Sequence, residues 1–335
     1  MNLEPSVVAI RDGRVGRLLL NRPKALNALT LEMVRLIDRA LAEWRDDPSV
    51  HAVLIEGAGN RAFCAGGDIR AVRNAALAGD AEAVEEFFAA EYALNRTIAE
   101  YPKPYVALID GICMGGGIGV SVHGRYRVAT ESAEFAMPET GIGFFPDIGA
   151  SYFLPRLPGK LGFYLGLTGA RLLGADAVHA GLATHFVPHE RLSALAAAMA
   201  EDGVAVIAAF AEKLPPFSLA PHRACIDRCF GAESVVAILA ALAAEETEFA
   251  RQALTAMRRA SPASLLWSFE ILRRGVHSEL AQCLKTELAL SRHVSRHPDF
   301  AEGVRAMVVD KDRNPRWSAA SVEEVDPAAI AAMFA

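Results

Sequence analysis

Glu139 and Asp147 stand eight positions apart in the stretch FAMPETGIGFFPDIGASYFLP, residues 135–155. Their neighbours are Phe135, Met137, Ile142, Phe144, Phe145 and Ile148, the company of a buried segment rather than of a solvated helix. Burying an ionised carboxylate is costly unless it is paired or hydrogen-bonded. Two carboxyls in an apolar pocket can split their proton affinities, so that one works as a base or nucleophile while the other holds its proton. Two glycine-rich loops, CAGGD at 64–68 and MGGGIG at 114–119, offer a second kind of chemistry. Without a Cβ, backbone N–H groups can approach a ligand closely and donate to a developing oxyanion. The same glycines also suit tight strand-to-helix turns, and the pattern alone leaves both readings open.

Other chemistries need spacings that are absent. GGGIGV lacks the third glycine of a dinucleotide fingerprint, and no glycine loop ends in Gly-Lys-Ser/Thr. Ser121 in GVSVH and Ser151 in GASYF miss the G-x-S-x-G nucleophile elbow. On a helix, the two-residue offset of His123 from Ser121 points the side chains apart. Of the five cysteines, 64, 113, 225, 229 and 283, only Cys225 and Cys229 are close, at a spacing that suits one helical face. An odd number of scattered thiols reads as reduced and packed, with no metal site.

The elements that must position these residues alternate in kind. VVAIRDGRVGRLLL, 7–20, reads as two strands about the Asp12-Gly13 turn. Thr30 caps a helix whose Val34, Ile37, Leu41 and Trp44 recur at helical spacing until Asp46-Asp47-Pro48. VHAVLIE at 50–56 is a buried strand, 81–100 a polar helix, KPYVALIDG another strand, and GICMGGGIGVSVHG a glycine loop opening a helix. The alternation continues to about residue 190, which predicts an α/β core over 1–190. Beyond it strand signals vanish, so 191–335 is expected to be a helical C-terminal region. There Ser261-Pro262 starts one helix and Ser278 another, whose Leu280, Leu284 and Leu288 share a face.

Apolar residues make up 52% and charged residues 22%, with mean hydropathy +0.22, which excludes a disordered chain. The greasiest windows are broken by Asp110 or by Glu201-Asp202 before reaching roughly 18 clean residues, so no membrane span is expected. A net charge of −6 without a basic run argues against nucleic acid. The start, MNLEPSVVAIRDG, is acidic at Glu4 and lacks a basic, apolar or Arg/Ser-rich leader pattern, and the expected compartment is the cytoplasm.

Through NRPKALNAL, FCAGGDI, GICMGGGIGV and MPETGIGFFPDIGASYFLPRL the sequence resembles the crotonase (enoyl-CoA hydratase/isomerase) superfamily. HPDFAEGVRAMVVDKDRNPRW extends the likeness to its 3-hydroxyisobutyryl-CoA hydrolase branch, so that it covers nearly the whole chain. The resemblance implies a spiral of ββα units with a helical C-terminal region. It implies an acyl-CoA substrate, no separate cofactor because coenzyme A belongs to the substrate, a homo-oligomer as one open state of assembly, and a place in valine catabolism. It implies that Gly67 and Gly116 N–H groups meet the thioester carbonyl, with Asp68, Ile69 and Arg70 lining the ligand. Arg22 and Lys24 become candidates for the CoA phosphates, against the plain reading of solvated loop cations. Glu91 of AEYALN becomes a substrate-pocket acid, against a solvated helix carboxylate.

Hydratases of this superfamily place one glutamate shortly after the triple glycine and one in the P-E motif. Here Gly119 fills the first position, Glu139 the second, and Asp147 stands where hydratases usually have glycine. That exchange implies a hydrolase in which Glu139 and Asp147 are the working pair; the plain alternative makes Asp147 a turn cap. A hydratase or isomerase relying on Glu139 alone, and a non-catalytic acyl-CoA-binding protein, are the competing functions.

Overall fold

The computed structural model describes residues 5–334; Met1–Glu4 and Ala335, and with them the outer limits of the two expected regions, lie outside the described residues. Contacts divide the chain into two interleaved units rather than at residue 190. One takes the chain up to Asp68 with Ala90–Phe135 and Leu172–Phe217; the other takes Ile69–Ala89, Ala136–Arg171 and everything from Ser218 onward. The composition shift near 190 marks where strands stop. Packing is decided instead by long-range contacts, which recruit two inserted segments to the helical unit.

The first unit holds both sheets. Its six-stranded sheet runs β1 (Val7–Asp12), β2 (Val15–Leu20), β3 (Ala52–Gly57), β5 (Tyr105–Ile109), β7 (Tyr126–Ala129) and β10 (His185–Phe186). The smaller one runs β4 (Ala62–Cys64), β6 (Ile112–Met114), β8 (Glu134–Ala136) and β9 (Leu172–Leu173). β1 and β2 are antiparallel, with Asp12 opposite Val15 and Gly13 in the left-handed region, as the Asp-Gly signal requires. From β2 to β10 every neighbour in the large sheet is parallel. Parallel strands are buried on both faces, which is why they read as unbroken apolar runs. One face packs Val15, Leu54, Val106, Leu108 and Val128 against Leu195, Ala196 and Met199 of the helix Leu192–Asp202.

The helix Leu31–Arg45 starts where Thr30 Oγ1 accepts from Met33 N at 3.2 Å, and buries Val34, Ile37, Leu41 and Trp44. The helix Ala81–Ala99, expected to be polar, buries Val84, Phe87, Phe88, Glu91, Tyr92, Leu94, Asn95 and Ile98.

The second unit is helical. Ser261 caps Pro262–Gly275 by accepting from Ser264 N at 3.1 Å. The next helix is Leu280–Val294, with Glu279 rather than Ser278 at its N-cap position; Ser278 Oγ instead donates back to Arg274 O at 2.9 Å. Its buried stripe is Cys283, Leu284, Glu287, Leu290, Ser291 and Val294, rotated from the expected Leu280/Leu284/Leu288 face because Glu287, not a leucine, sits at its centre. Among the described residues no helix is long and apolar enough to cross a membrane.

Candidate active site

In the first unit, β4 and β6 pair in parallel, with Ala62 opposite Ile112 and Cys64 opposite Cys113, so their C-terminal ends and glycine loops emerge together. After β4, Leu29 N donates to Gly66 O at 2.8 Å and Asp68 N to Leu29 O at 2.7 Å. This bridge uses the groups on either side of Gly67 and leaves the Gly67 N–H without a protein acceptor among the described residues. After β6, Gly115 takes φ 47°, and the chain enters the helix Gly116–Val122, whose first N–H groups have no intrahelical acceptor. A Cβ on Gly116 would lie 3.1 Å from Gly67 N and 3.3 Å from Leu29 Cδ1, and would overlap Glu91 Oε1. Glycine at 116 is therefore required by close approach, and the two glycine loops meet at this point.

Glu91 is 2% exposed, which removes the reading of a solvated helix carboxylate. The expected ligand-lining acid and phosphate cation are partners of each other: Arg22 Nη2 lies 3.4 Å from Asp68 Oδ2, and Arg22 Nη1 also donates to Ala28 O at 2.6 Å. Lys24 is exposed in the one-turn helix Pro23–Ala25. Cys64 and Ser121 are not nucleophiles in waiting. Burial pushes the Cys64 thiol up to about 12, and Ser121 Oγ donates to the Gly117 and Ile118 carbonyls of its own helix.

In the second unit, Glu139 opens the short helix Glu139–Ile142 and Asp147 opens the turn through Ile148 and Gly149, its carbonyl accepting from Ala150 N at 2.8 Å; each carboxyl residue is 6% exposed. The apolar wall between them is aromatic: Phe144 stacks on Phe145 at 4.5 Å and on Phe88 at 5.3 Å, and meets Phe300 at 5.5 Å. Ser261 N donates to Thr140 O at 3.1 Å, and Ser264 Oγ donates to Phe144 O. Asp299, 1% exposed, braces the same corner by accepting from Ser261 Oγ at 2.5 Å and Ser318 N at 2.8 Å. Ile69 is half-buried at the start of the helix Ile69–Leu77, and Arg70 is exposed with its Nη2 donating to Val308 O at 2.7 Å.

Sequence reasoning missed Glu287. It is fully buried and accepts from Gly149 N at 2.7 Å, Ser151 N at 3.0 Å and Ser151 Oγ at 2.5 Å. Burial, with the nearby Asp147 charge adding to it, pushes the Glu287 carboxyl up to about 8 against the pull of those three donors. The available signal was an acid at the centre of an apolar helical stripe. Cys225, Cys229 and Glu245 bring three ligand atoms within 4.8 Å, but Arg228 Nε already donates to Glu245 Oε1 at 3.0 Å. The two thiols are buried on one face of the helix Arg223–Cys229, 4.0 Å apart, the shared face their spacing predicts.

Residues 15–334 match the family model described as enoyl-CoA hydratase/isomerase. The chain belongs to the enoyl-CoA hydratase/isomerase family. A Xenopus tropicalis protein named 3-hydroxyisobutyryl-CoA hydrolase, mitochondrial, is 48% identical over 327 residues, covering 94% of this chain and 85% of that protein. Among solved structures, a carnitinyl-CoA dehydratase from Mycobacterium thermoresistibile superposes with a TM-score of 0.95 at 44% identity, covering 99% of this chain and 97% of that one. An enoyl-CoA hydratase from Rhodobacter sphaeroides 2.4.1 gives 0.94 at 41%, with the same coverage. The crotonase fold with its helical C-terminal region is thereby shown. The cytoplasmic expectation is overturned by hydrolase relatives that are named mitochondrial. That expectation rested on the pattern of the first residues alone, and a leader pattern is a weaker guide to compartment than relatives similar over nearly the whole chain.

Proposed function

We propose that this family member hydrolyses a short-chain 3-hydroxyacyl-CoA, foremost 3-hydroxyisobutyryl-CoA, to the free acid and CoA, using no cofactor beyond the CoA of the substrate. The observation that carries the reading is the second buried acid: Asp147, 6% exposed, accompanies Glu139, while Gly119 occupies the position of the first hydratase glutamate. Similarity of 48% over 94% of the chain to a protein bearing the hydrolase name supports it. A place in valine catabolism follows from that acyl group alone.

In this reading the Gly67 and Gly116 N–H groups hold the thioester oxygen as it becomes an oxyanion. Glu139 attacks the acyl carbon to give a mixed anhydride that water then opens, or it takes the proton from an attacking water; either way the C–S bond breaks and the thiolate leaves as CoA. Asp147 orients the water or the substrate hydroxyl and exchanges a proton. Glu91 faces the acyl group beside the Gly116 donor, while Asp68, Ile69 and Arg70 line the CoA and Lys24 and Arg22 meet its phosphates.

The solved neighbours named as a dehydratase and a hydratase give the second reading its footing. Thiol release across an acyl-CoA panel, without added metal or nucleotide, separates the two. Free CoA from 3-hydroxyisobutyryl-CoA or a close relative is expected. Conversion of crotonyl-CoA to its hydroxy product with no thiol released from any hydroxyacyl-CoA would transfer the chain to the hydratases.

A further inference from the structure

The turn that carries Asp147 is strained. Ile148 takes φ 55° and Gly149 φ 84°. Left-handed backbone is routine for glycine, but for a β-branched residue it is an outlier, and it persists only where the surroundings over-determine it. The consecutive left-handed residues turn the Gly149 and Ser151 N–H groups toward one point, and the Glu287 carboxyl occupies it. Ser151 Oγ completes the grip.

We propose that Glu287 is a positioning residue, whose clamp on Gly149 and Ser151 holds the strained Ile148 turn and thereby fixes the direction of the Asp147 carboxyl. The proposal rests on the hydrolase reading only for what Asp147 then does. Ile148 is 0% exposed, so its packing assists the clamp, but packing alone gives the two N–H groups no acceptor. Among the described residues, Asp147 on the turn and Cys283 one helical turn back are ionisable groups that interact with Glu287. From neighbouring elements, Glu270 of Pro262–Gly275 is paired with Arg273 and Arg274, and Arg156 lies over the Tyr152 ring and donates to Tyr152 O and Gly275 O.

A glutamine at 287 keeps the size but turns an N–H toward one of the donors, so at least one clamp bond is lost in either orientation of the amide. For Glu287→Gln, kcat is expected to fall about 10- to 100-fold, the range a misplacement of ~1 Å produces, with KM little changed. In the Asp147→Asn background the same change should have almost no further effect, because a residue acting through Asp147 has nothing left to position. The alkaline step of the wild-type kcat profile near the raised Glu287 value, about 8, should vanish in the variant, and Glu287→Asp should restore part of the rate. A purely structural residue would move neither the step nor the coupling to Asp147.

Amide exchange of the 147–151 segment is read alongside and should accelerate in Glu287→Gln. If Glu287→Gln does not fold, Ser151→Ala removes one clamp bond and should show the same changes at smaller size. Unchanged exchange and unchanged kcat, or losses that add in full to those of Asp147→Asn, would overturn the clamp. A wild type that releases CoA from no thioester would overturn the hydrolase reading, while the exchange measurement would still decide the clamp.

Discussion

The sheet-built unit and the helical unit handle reactive groups by opposite means. In the first, the candidate donors are main-chain N–H groups, set by the parallel register of β4 and β6 and by the absence of a Cβ at Gly116. In the second they are side-chain carboxyls on a turn braced by buried polar partners, Glu287 at one end and Asp299 with Ser261 at the other. Backbone donors are fixed as soon as the sheet forms, and side-chain truncation cannot delete them. Carboxyls are exposed to every change in the residues that aim them. Precision in the first unit is geometric and cheap to encode; in the second it depends on satisfied buried polar groups, each costly to leave unmade.

The largest effect should break the second unit's half of this contrast. Asp147→Asn keeps the shape but ends proton exchange, and kcat for thioester hydrolysis should fall about 10²- to 10⁴-fold with KM nearly constant. A folded variant with the parent rate would make Asp147 a turn cap. Gly116→Ala tests the other half: the added Cβ meets Glu91 Oε1 and Leu29 Cδ1, so the loop must shift and its N–H with it. Loss of one oxyanion donor typically costs about 10²- to 10³-fold in kcat. Full turnover by a folded Gly116→Ala enzyme would reduce the triple glycine to a turn.

A subtler difference is in pH dependence. The Glu287 carboxyl sits at about 8 in the folded protein against an ordinary 4.5, so between those values the folded state keeps a proton that the unfolded chain releases. Stability therefore falls as pH rises through that window and levels off above it. Glu287→Gln should flatten this part of the Tm–pH curve. If the wild-type slope persists in the variant, the charge at 287 is not the cause.

The two units also differ in how far they could be read in advance. The Asp12-Gly13 hairpin, the Thr30 cap and the apolar runs of β3 and β5 are local signals, and the structure keeps them all. The approach of the two glycine loops was legible because Gly116 leaves no room for a Cβ where backbones approach, and that need shows in the residue type. The strands of the small sheet escape pattern reading because two or three residues are too few to show alternation. Glu287 escaped for the opposite reason: an acid normally marks a helix's solvated face, and only long-range hydrogen bonds to Gly149 and Ser151 turn it inward. The left-handed Ile148 left no trace at all, since nothing in its type requires or favours φ 55°.

The smallest effect concerns the loop cations, where the structure separates two residues that the sequence reading treated alike. Arg22 is already engaged by Asp68 and Ala28 O, and its removal would loosen the Asn27–Ala28 loop as well as any ligand contact. Lys24 is exposed, and among the described residues its ammonium has no hydrogen bond or ion pair to give up on meeting a phosphate. An exposed charge pair contributes about 0.2–1 kcal/mol, so Lys24→Ala should raise KM for acyl-CoA by roughly 1.5- to 5-fold and leave kcat alone. The increase should shrink as salt rises toward about 1 M, where the screening length falls to ~3 Å. Arg22→Ala should instead lower Tm alongside any change in KM. A KM for Lys24→Ala that matches the parent at low salt would show that the CoA phosphates are met elsewhere, and a salt-independent increase would show that the lysine acts through its stem rather than its charge.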